Sequence, residues 1–145
     1  MSYRVTFPVR FQDVDAAGVL FFGRIFDYCH QAYEELIASS GVDRAHYFAG
    51  ADVLVPIVHA EADYKTPLRH GERVTIEIDV ARIGRASFQL RYRALGPAGD
   101  LRAEVTTVHA FVRRATMRPI AIPEALHGFF TGHLLPEEIA DHTAK

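Results

Sequence analysis

One stretch constrains this chain more than any other: FQDVDAAGVLFFGRIFDYCHQAYEELIASSG, from Phe11 to Gly41. It sets two carboxylates, Asp13 and Asp15, in a turn, follows them with Gly18, and runs through a short apolar segment into the one long helical pattern of the sequence. On a wheel of about 100° per residue, Phe22, Ile25, Phe26, Cys29, Tyr33, Leu36 and Ile37 fall in one stripe. Arg24, Asp27, Gln31, Glu34 and Glu35 lie opposite. Every other strong periodicity alternates with a period of two. A single apolar helix among strands has only a sheet to bury against, so the pattern predicts a helix over roughly residues 22 to 39 wrapped by strands.

Along the chain, Tyr3, Val5, Phe7, Val9 and Phe11 alternate with polar residues as a strand with one buried face, and Pro8 assigns it to an edge. Gly41 reads as a left-handed helix stop, and Val42 to Gly50 as a short irregular or 3₁₀ connector. Val53 to Tyr64 reads as a strand bent at Pro56, followed by a loop at Thr66-Pro67 and His70-Gly71. Arg73 to Val80 alternates most cleanly, and Phe88, Leu90 and Tyr92 return as its antiparallel partner after the turn Ile83-Gly84-Arg85-Ala86. Leu101 to Arg114 follows a second hairpin turn. Its middle, VHAFV, reads as apolar on both faces, which predicts cover on both sides, the second from another subunit. Pro123 opens a short helix through Phe130, and His133 to Lys145 reads as peripheral. The order is α+β: a curved antiparallel sheet of five or six strands around one long central helix, in a single domain over 1–145.

Composition narrows the function classes. The 145 residues suffice for a core without metal or disulfide staples. The net charge of -2, from 16 basic and 18 acidic residues along the whole chain, gives no reason to expect nucleic acid or a membrane surface as partner. The lone cysteine, Cys29, sits in the helix stripe as a buried small hydrophobe, which suits a reducing compartment. An N-terminus that alternates from Tyr3 has no secretory h-region, and no apolar run is long enough to span a bilayer, so a cytoplasmic protein is expected. The eight histidines form no metal-spaced pair, which predicts no metal, and no Gly-x-Ser-x-Gly elbow is present.

RFQDVDAAGVLFFGRIFDY at residues 10 to 28 and PIVHAEADYKTPLRHGERV at residues 56 to 74 closely resemble the hotdog-fold acyl-CoA thioesterases of the 4-hydroxybenzoyl-CoA thioesterase family. Their shared pattern is Asp-x-Asp-x-x-Gly followed by an apolar run into the central helix, and the likeness covers nearly the whole chain. Within the family, CHQAYEELI at residues 29 to 37 and LVPIVHA at residues 54 to 60 are most similar to the 1,4-dihydroxy-2-naphthoyl-CoA thioesterases. The resemblance implies a hotdog fold, a homo-oligomer (dimer or tetramer) with sites between subunits, and hydrolysis of an aromatic acyl-CoA. No cofactor is implied, because coenzyme A enters as part of the substrate.

Thioester hydrolysis needs a nucleophile, or a base that makes water one, and donors to the oxygen that becomes negative. Asp15 matches the family's catalytic carboxylate. The backbone N–H of Phe22 matches its oxyanion donor, at a helix end where orphan amides and the dipole favour negative charge. Gly18 would let the acyl group approach the backbone. Read locally, both aspartates do no more than organise an Asx turn, and Asp13 is assigned a structural part. His30 resembles the position where some relatives contact a ring hydroxyl, and otherwise reads as a histidine beside a neighbouring carboxylate. Phe21, Phe26 and His59 complete the substrate candidates. Arg82, Arg85 and Ser87 match the relatives' nucleotide-binding positions; Arg113, Arg114, Lys65 and Arg69 are weaker candidates for the coenzyme A phosphates. A fatty acyl-CoA could use the same apolar tunnel. A hydratase or dehydratase would want a histidine beside Asp15, and a non-catalytic coenzyme A ester sensor would bind without turnover.

Overall fold

The computed structural model describes residues 2–136. In chain order the elements are β1 (Tyr3–Pro8), α1 (Arg24–Ser39), α2 (Arg44–Phe48), β2 (Val53–Leu54), β3 (Ile57–Tyr64), β4 (Arg73–Ile83), β5 (Ser87–Leu95), β6 (Leu101–Ala110), β7 (Val112–Arg113) and α3 (Glu124–Thr131). Five strands form one antiparallel sheet in the order β1-β4-β5-β6-β3, and β2 pairs with β7 in a two-stranded ribbon. Because side chains alternate across a strand, Val74, Ile76, Ile78 and Val80 of β4, Phe88, Leu90 and Tyr92 of β5, and Ala103 and Val105 of β6 all join one core with the buried face of α1. That face comprises Ile25, Tyr28, Cys29, Ala32, Tyr33, Leu36 and Ile37. Shifts in register at Val80/Arg82 and at Ile57/His59 are the irregularities expected where a sheet bends.

Several expectations shift by physical causes the pattern did not carry. The helix begins at Arg24, two residues late, because Phe21, Phe22 and Gly23 form a turn closed by Arg24 N–H on the Phe21 carbonyl at 2.9 Å. Phe22 therefore lies outside the stripe and is 66% exposed, whereas Tyr28, assigned to neither face, is buried. The strand of 53–64 breaks at Pro56 into β2 and β3, and that of 101–114 breaks at Phe111, whose N–H bonds the Ala86 carbonyl at 2.8 Å. The connector after Gly41 holds a true α-helix, capped by the Asp43 side chain accepting the His46 N–H at 3.0 Å. The 3₁₀ turn occurs earlier, at Phe11–Asp13, where the first strand was expected to continue. Gly41 does take positive φ, at 87°. His133 to Leu135 is not peripheral: beyond the end of β1 it bonds the free edge of Val80 in both directions, each at 3.0 Å. Residues 137–145 lie outside the described residues.

VHAFV conceals a polar residue. His109 points inward, fully buried, stacked on Phe88 at 4.8 Å and beside Tyr33 at 4.5 Å. Desolvation pushes its pKa down to about 3, so the folded imidazole is neutral. An unfolded histidine binds its proton below about pH 6.5, so between that value and 3 the unfolded chain holds more protons and acid drives unfolding. Stability attributable to His109 is complete above about pH 6.5 and falls as the pH drops, by a few kcal/mol in total at about 1.4 kcal/mol per pKa unit. Urea unfolding from pH 7 to pH 4 should show the wild type losing stability more steeply than His109→Gln; parallel losses would contradict this.

Candidate active site

The two aspartates of the turn are held in different ways. Asp13 is buried, and its carboxylate accepts the Tyr28 hydroxyl at 2.6 Å and Arg10 Nε at 3.3 Å, with Arg24 Nε at 3.8 Å. Burial, followed by the neighbouring carboxylate, raises the Tyr28 pKa and keeps this hydroxyl a donor. The Asp13 carbonyl accepts the Phe21 N–H at 2.9 Å, so the same residue fixes both ends of the loop. This agrees with its assigned structural part.

Asp15 is exposed. Its Oδ1 accepts the Ala17 N–H at 2.8 Å and the Val19 N–H at 3.4 Å, an Asx turn that orients the carboxylate. A bridge between Val14 and Leu20 pinches the loop, and Leu20 N–H bonds the Leu68 carbonyl at 2.7 Å. Gly18 is needed for its φ of 77°; a side chain there would meet open space, so the demand is conformational.

At the far end of the loop the N-cap of α1 is Gly23, with no side chain to satisfy the first amides. The Phe22 N–H has no hydrogen-bond partner among the described residues, while its carbonyl accepts the Tyr64 hydroxyl at the end of β3. Tyr64 was missed in the sequence. A cavity of about 260 Å³ adjoins this end of the helix, lined by Val19, Leu20, Phe22, Ile25, Tyr64 and Lys65 among others. Arg102 also reaches it, but Glu72 at 3.0 Å and Asp100 at 2.5 Å occupy that guanidinium. Lys65 has no ion-pair partner among the described residues.

A second cavity, about 280 Å³, opens beside the middle of α1 between Phe26, Cys29 and His30 and the β3 residues Ile57 and Ala60, with Tyr92 and Thr107 in its wall. It lies near the lower bound of roughly 300 Å³ for small-molecule sites. Of the substrate candidates, His30 and Phe26 come together here. His30 is 3.8 Å from Glu34 and edges onto Tyr33 and Phe48. Phe21 is exposed beside Phe22, and exposed His59 on β3 faces Glu61 at 3.8 Å; neither lines this cavity. Cys29 is buried and desolvation raises its thiol pKa, so the thiolate chemistry of a nucleophile is closed to it. A larger cavity of about 470 Å³ lies between α2, β2 and α3, walled by Tyr47, Val55, Phe111 and Leu126.

The candidate phosphate ligands lie elsewhere. Arg85 sits in the β4–β5 turn, flanked by Arg82 near the end of β4 and Ser87 at the start of β5. The Asp15 loop adjoins the opposite end of β4, where Val9 N–H bonds the Glu72 carbonyl at 2.8 Å. Some ten residues of strand separate the two ends, roughly 30 Å at a rise of 3.3 Å. One chain does not bring them together. Arg82 and Arg85 are exposed and have no ion-pair partner among the described residues. Arg114 is held by the Gly50 carbonyl at 3.1 Å.

Residues 9–130 match a family model described as the thioesterase-like superfamily. The chain belongs to that superfamily. It is 35% identical over 133 residues to a 1,4-dihydroxy-2-naphthoyl-CoA hydrolase from Thermosynechococcus vestitus, covering 92% of this chain and 90% of that one. To a 1,4-dihydroxy-2-naphthoyl-CoA hydrolase from Synechococcus elongatus it is 37% identical over 126 residues, 86% of this chain and 92% of the other. The crystal structure of a 1,4-dihydroxy-2-naphthoyl-CoA thioesterase from Synechocystis superposes with a TM-score of 0.85 at 22% identity, covering 90% of this chain and 96% of that one; at that identity the likeness is one of fold. The fold is thus the hotdog, and this member of the thioesterase superfamily is a thioester hydrolase. No helix among the described residues is long and apolar enough to cross a membrane.

Within this thioesterase, Asp13→Ala should leave the buried Tyr28 hydroxyl without its acceptor and lower stability by about 1–3 kcal/mol, measured by urea unfolding. Tyr28→Phe, which takes a donor from the buried carboxylate and the acceptor from the Arg10 N–H at 3.3 Å, should cost a comparable amount.

Proposed function

We propose that this thioesterase hydrolyses a hydroxyaryl acyl-CoA, with 1,4-dihydroxy-2-naphthoyl-CoA, the substrate in the names of its relatives, as the first candidate. The observation that carries the mechanism is the unpartnered Phe22 N–H at an uncapped helix start, on the same loop as an exposed, Asx-oriented Asp15 carboxylate. The thioester oxygen accepts the Phe22 N–H, and the helix dipole favours the negative charge that grows on it. Asp15 attacks the carbonyl carbon, forming a mixed anhydride that water then hydrolyses to the free acid and the restored carboxylate, or takes a proton from water as water attacks. The C–S bond then breaks and coenzyme A leaves as the thiolate. The ring of the acyl group enters the cavity between Phe26, His30 and Ile57.

A second copy of the chain completes the site in this reading. β3 is an edge strand with Ile57 44% and Val58 61% exposed, and such an edge invites pairing. Antiparallel pairing of β3 with its own copy would turn one chain's Asp15 end toward the other's β4–β5 turn. Arg82, Arg85 and Ser87 of one subunit would then serve the coenzyme A whose thioester the other cleaves. The buried, free Cys29 fits a cytoplasmic enzyme.

A thiol-release assay tests the proposal. Asp15→Asn should lose most turnover on aryl acyl-CoA, at least about 100-fold, while still binding it; near wild-type turnover would remove Asp15 from the mechanism. Higher kcat/KM for fatty than for hydroxyaryl thioesters would replace the substrate class. Arg82→Ala with Arg85→Ala should raise KM for an acyl-CoA about tenfold more than for the same acyl group on N-acetylcysteamine. An equal change in both would release these arginines from the phosphates.

A further inference from the structure

The wall of the cavity beside His30 contains a chain of buried polar groups with one hydrogen too many. Tyr92 Oη lies 2.9 Å from Thr107 Oγ1, which lies 2.7 Å from His109 Nε2. All three residues are buried, at 1%, 4% and 0% exposure, and Tyr92 and Thr107 both line the cavity. His109 Nδ1 is buried without a partner.

The neutral ring of His109 carries one hydrogen, and its place decides what the cavity meets. On Nδ1 it would be an orphaned buried N–H, which folded proteins tolerate less than an unused acceptor. On Nε2 it donates to Thr107 Oγ1. Two links then join three hydrogen-bearing groups, His109 N–H, Thr107 O–H and Tyr92 O–H, and one hydroxyl hydrogen is left over. Only the cavity side is open to it, so the wall presents a hydrogen-bond donor to a space formed by Phe26, Cys29, Ile57 and Ala60, with the exposed side chains of Asp27 and His30 also lining it. A bare aromatic or aliphatic group would leave that donor unpaired, whereas an oxygen substituent would satisfy it.

We propose that the Tyr92–Thr107–His109 chain recognises an oxygen substituent on the ring of the acyl group, making it the element that selects hydroxylated aromatic thioesters over bare ones. This rests on the thioesterase reading above and adds specificity-determining residues to it. None of the three touches the reacting carbonyl in this scheme.

The test compares 1-hydroxy-2-naphthoyl-CoA with 2-naphthoyl-CoA on the wild type, Tyr92→Phe, and Tyr92→Phe combined with Thr107→Val. The single variant keeps the Thr107–His109 bond and the ring volume, and passes the spare hydrogen to Thr107; the double variant leaves no hydroxyl in the wall. The wild type should favour the hydroxylated thioester by about tenfold in kcat/KM. That preference should survive in the single variant, whose Thr107 hydroxyl still carries the spare hydrogen, and approach unity in the double. An unchanged preference in the double variant, shown to be folded by its circular dichroism, overturns the proposal, and so does a wild type with no preference. Nitrogen NMR of His109 should find the hydrogen on Nε2, and a hydrogen on Nδ1 would also overturn it. If the wild type cleaves neither thioester, the aryl acyl-CoA reading falls. Calorimetry with 1-hydroxy-2-naphthoate and 2-naphthoate then decides the cavity separately: a preference for the hydroxylated acid that the double variant loses supports the donor, and equal affinities refute it.

Discussion

Burial of one face of α1 in the curve of the sheet is the constraint from which the rest of this molecule follows. Ile25, Leu36 and Ile37 are buried in the curve of a sheet whose five strands come from separate stretches of chain, and each such side chain contributes about 1.5–3 kcal/mol. A helix held along its length cannot slide, so its start is held too. That start carries an amide without a partner among the described residues, at the end of a loop whose exposed carboxylate is oriented by an Asx turn. The hydrophobic contact is non-directional, yet through the helix it positions groups whose chemistry is directional.

Asp13 and His109 are polar groups buried beside the apolar core, and in both cases the hydrogen bonds explain the exception. Asp13 is buried because Tyr28 and Arg10 replace the water it gives up, and the loop between β1 and α1 is tied down in return. His109 sits between Phe88 and Tyr33 because a neutral imidazole stacks like an aromatic ring while Thr107 accepts from one nitrogen. A charged imidazole would find no counter-ion there. The two clusters differ in what they leave over: the Asp13 cluster is closed on itself, and the His109 chain ends at a cavity.

The separation of the Asp15 turn from the β4–β5 turn has a geometric origin. Antiparallel strands send successive connections to opposite ends of the sheet, so residues flanking β4 are a strand length apart whatever their side chains. A long substrate that must touch both ends has either to run along the sheet or to bridge two chains. The exposed apolar residues Ile57 and Val58 of β3 lie on the sheet edge beside the cavity at His30.

The sequence by itself determined the α+β order, the edge position of β1, the left-handed stop at Gly41, the buried Cys29 and the paired aspartates before the helix. Each rests on a local property: period, proline's missing donor, glycine's φ, or the spacing of a motif. Tertiary structure alone decided where α1 begins, since the Phe21–Gly23 turn is held by contacts to Asp13 and by Tyr64, far along the chain. It also decided which aspartate is buried, because that depends on Tyr28 one helix turn into α1 and on two arginines. The inward alternation Ala103, Val105, Thr107, His109 was a signal for the polar chain, hidden by reading VHAFV as apolar. Thr107 and His109 acquire meaning only beside Tyr92 from the neighbouring strand, a pairing that register creates and local pattern does not contain.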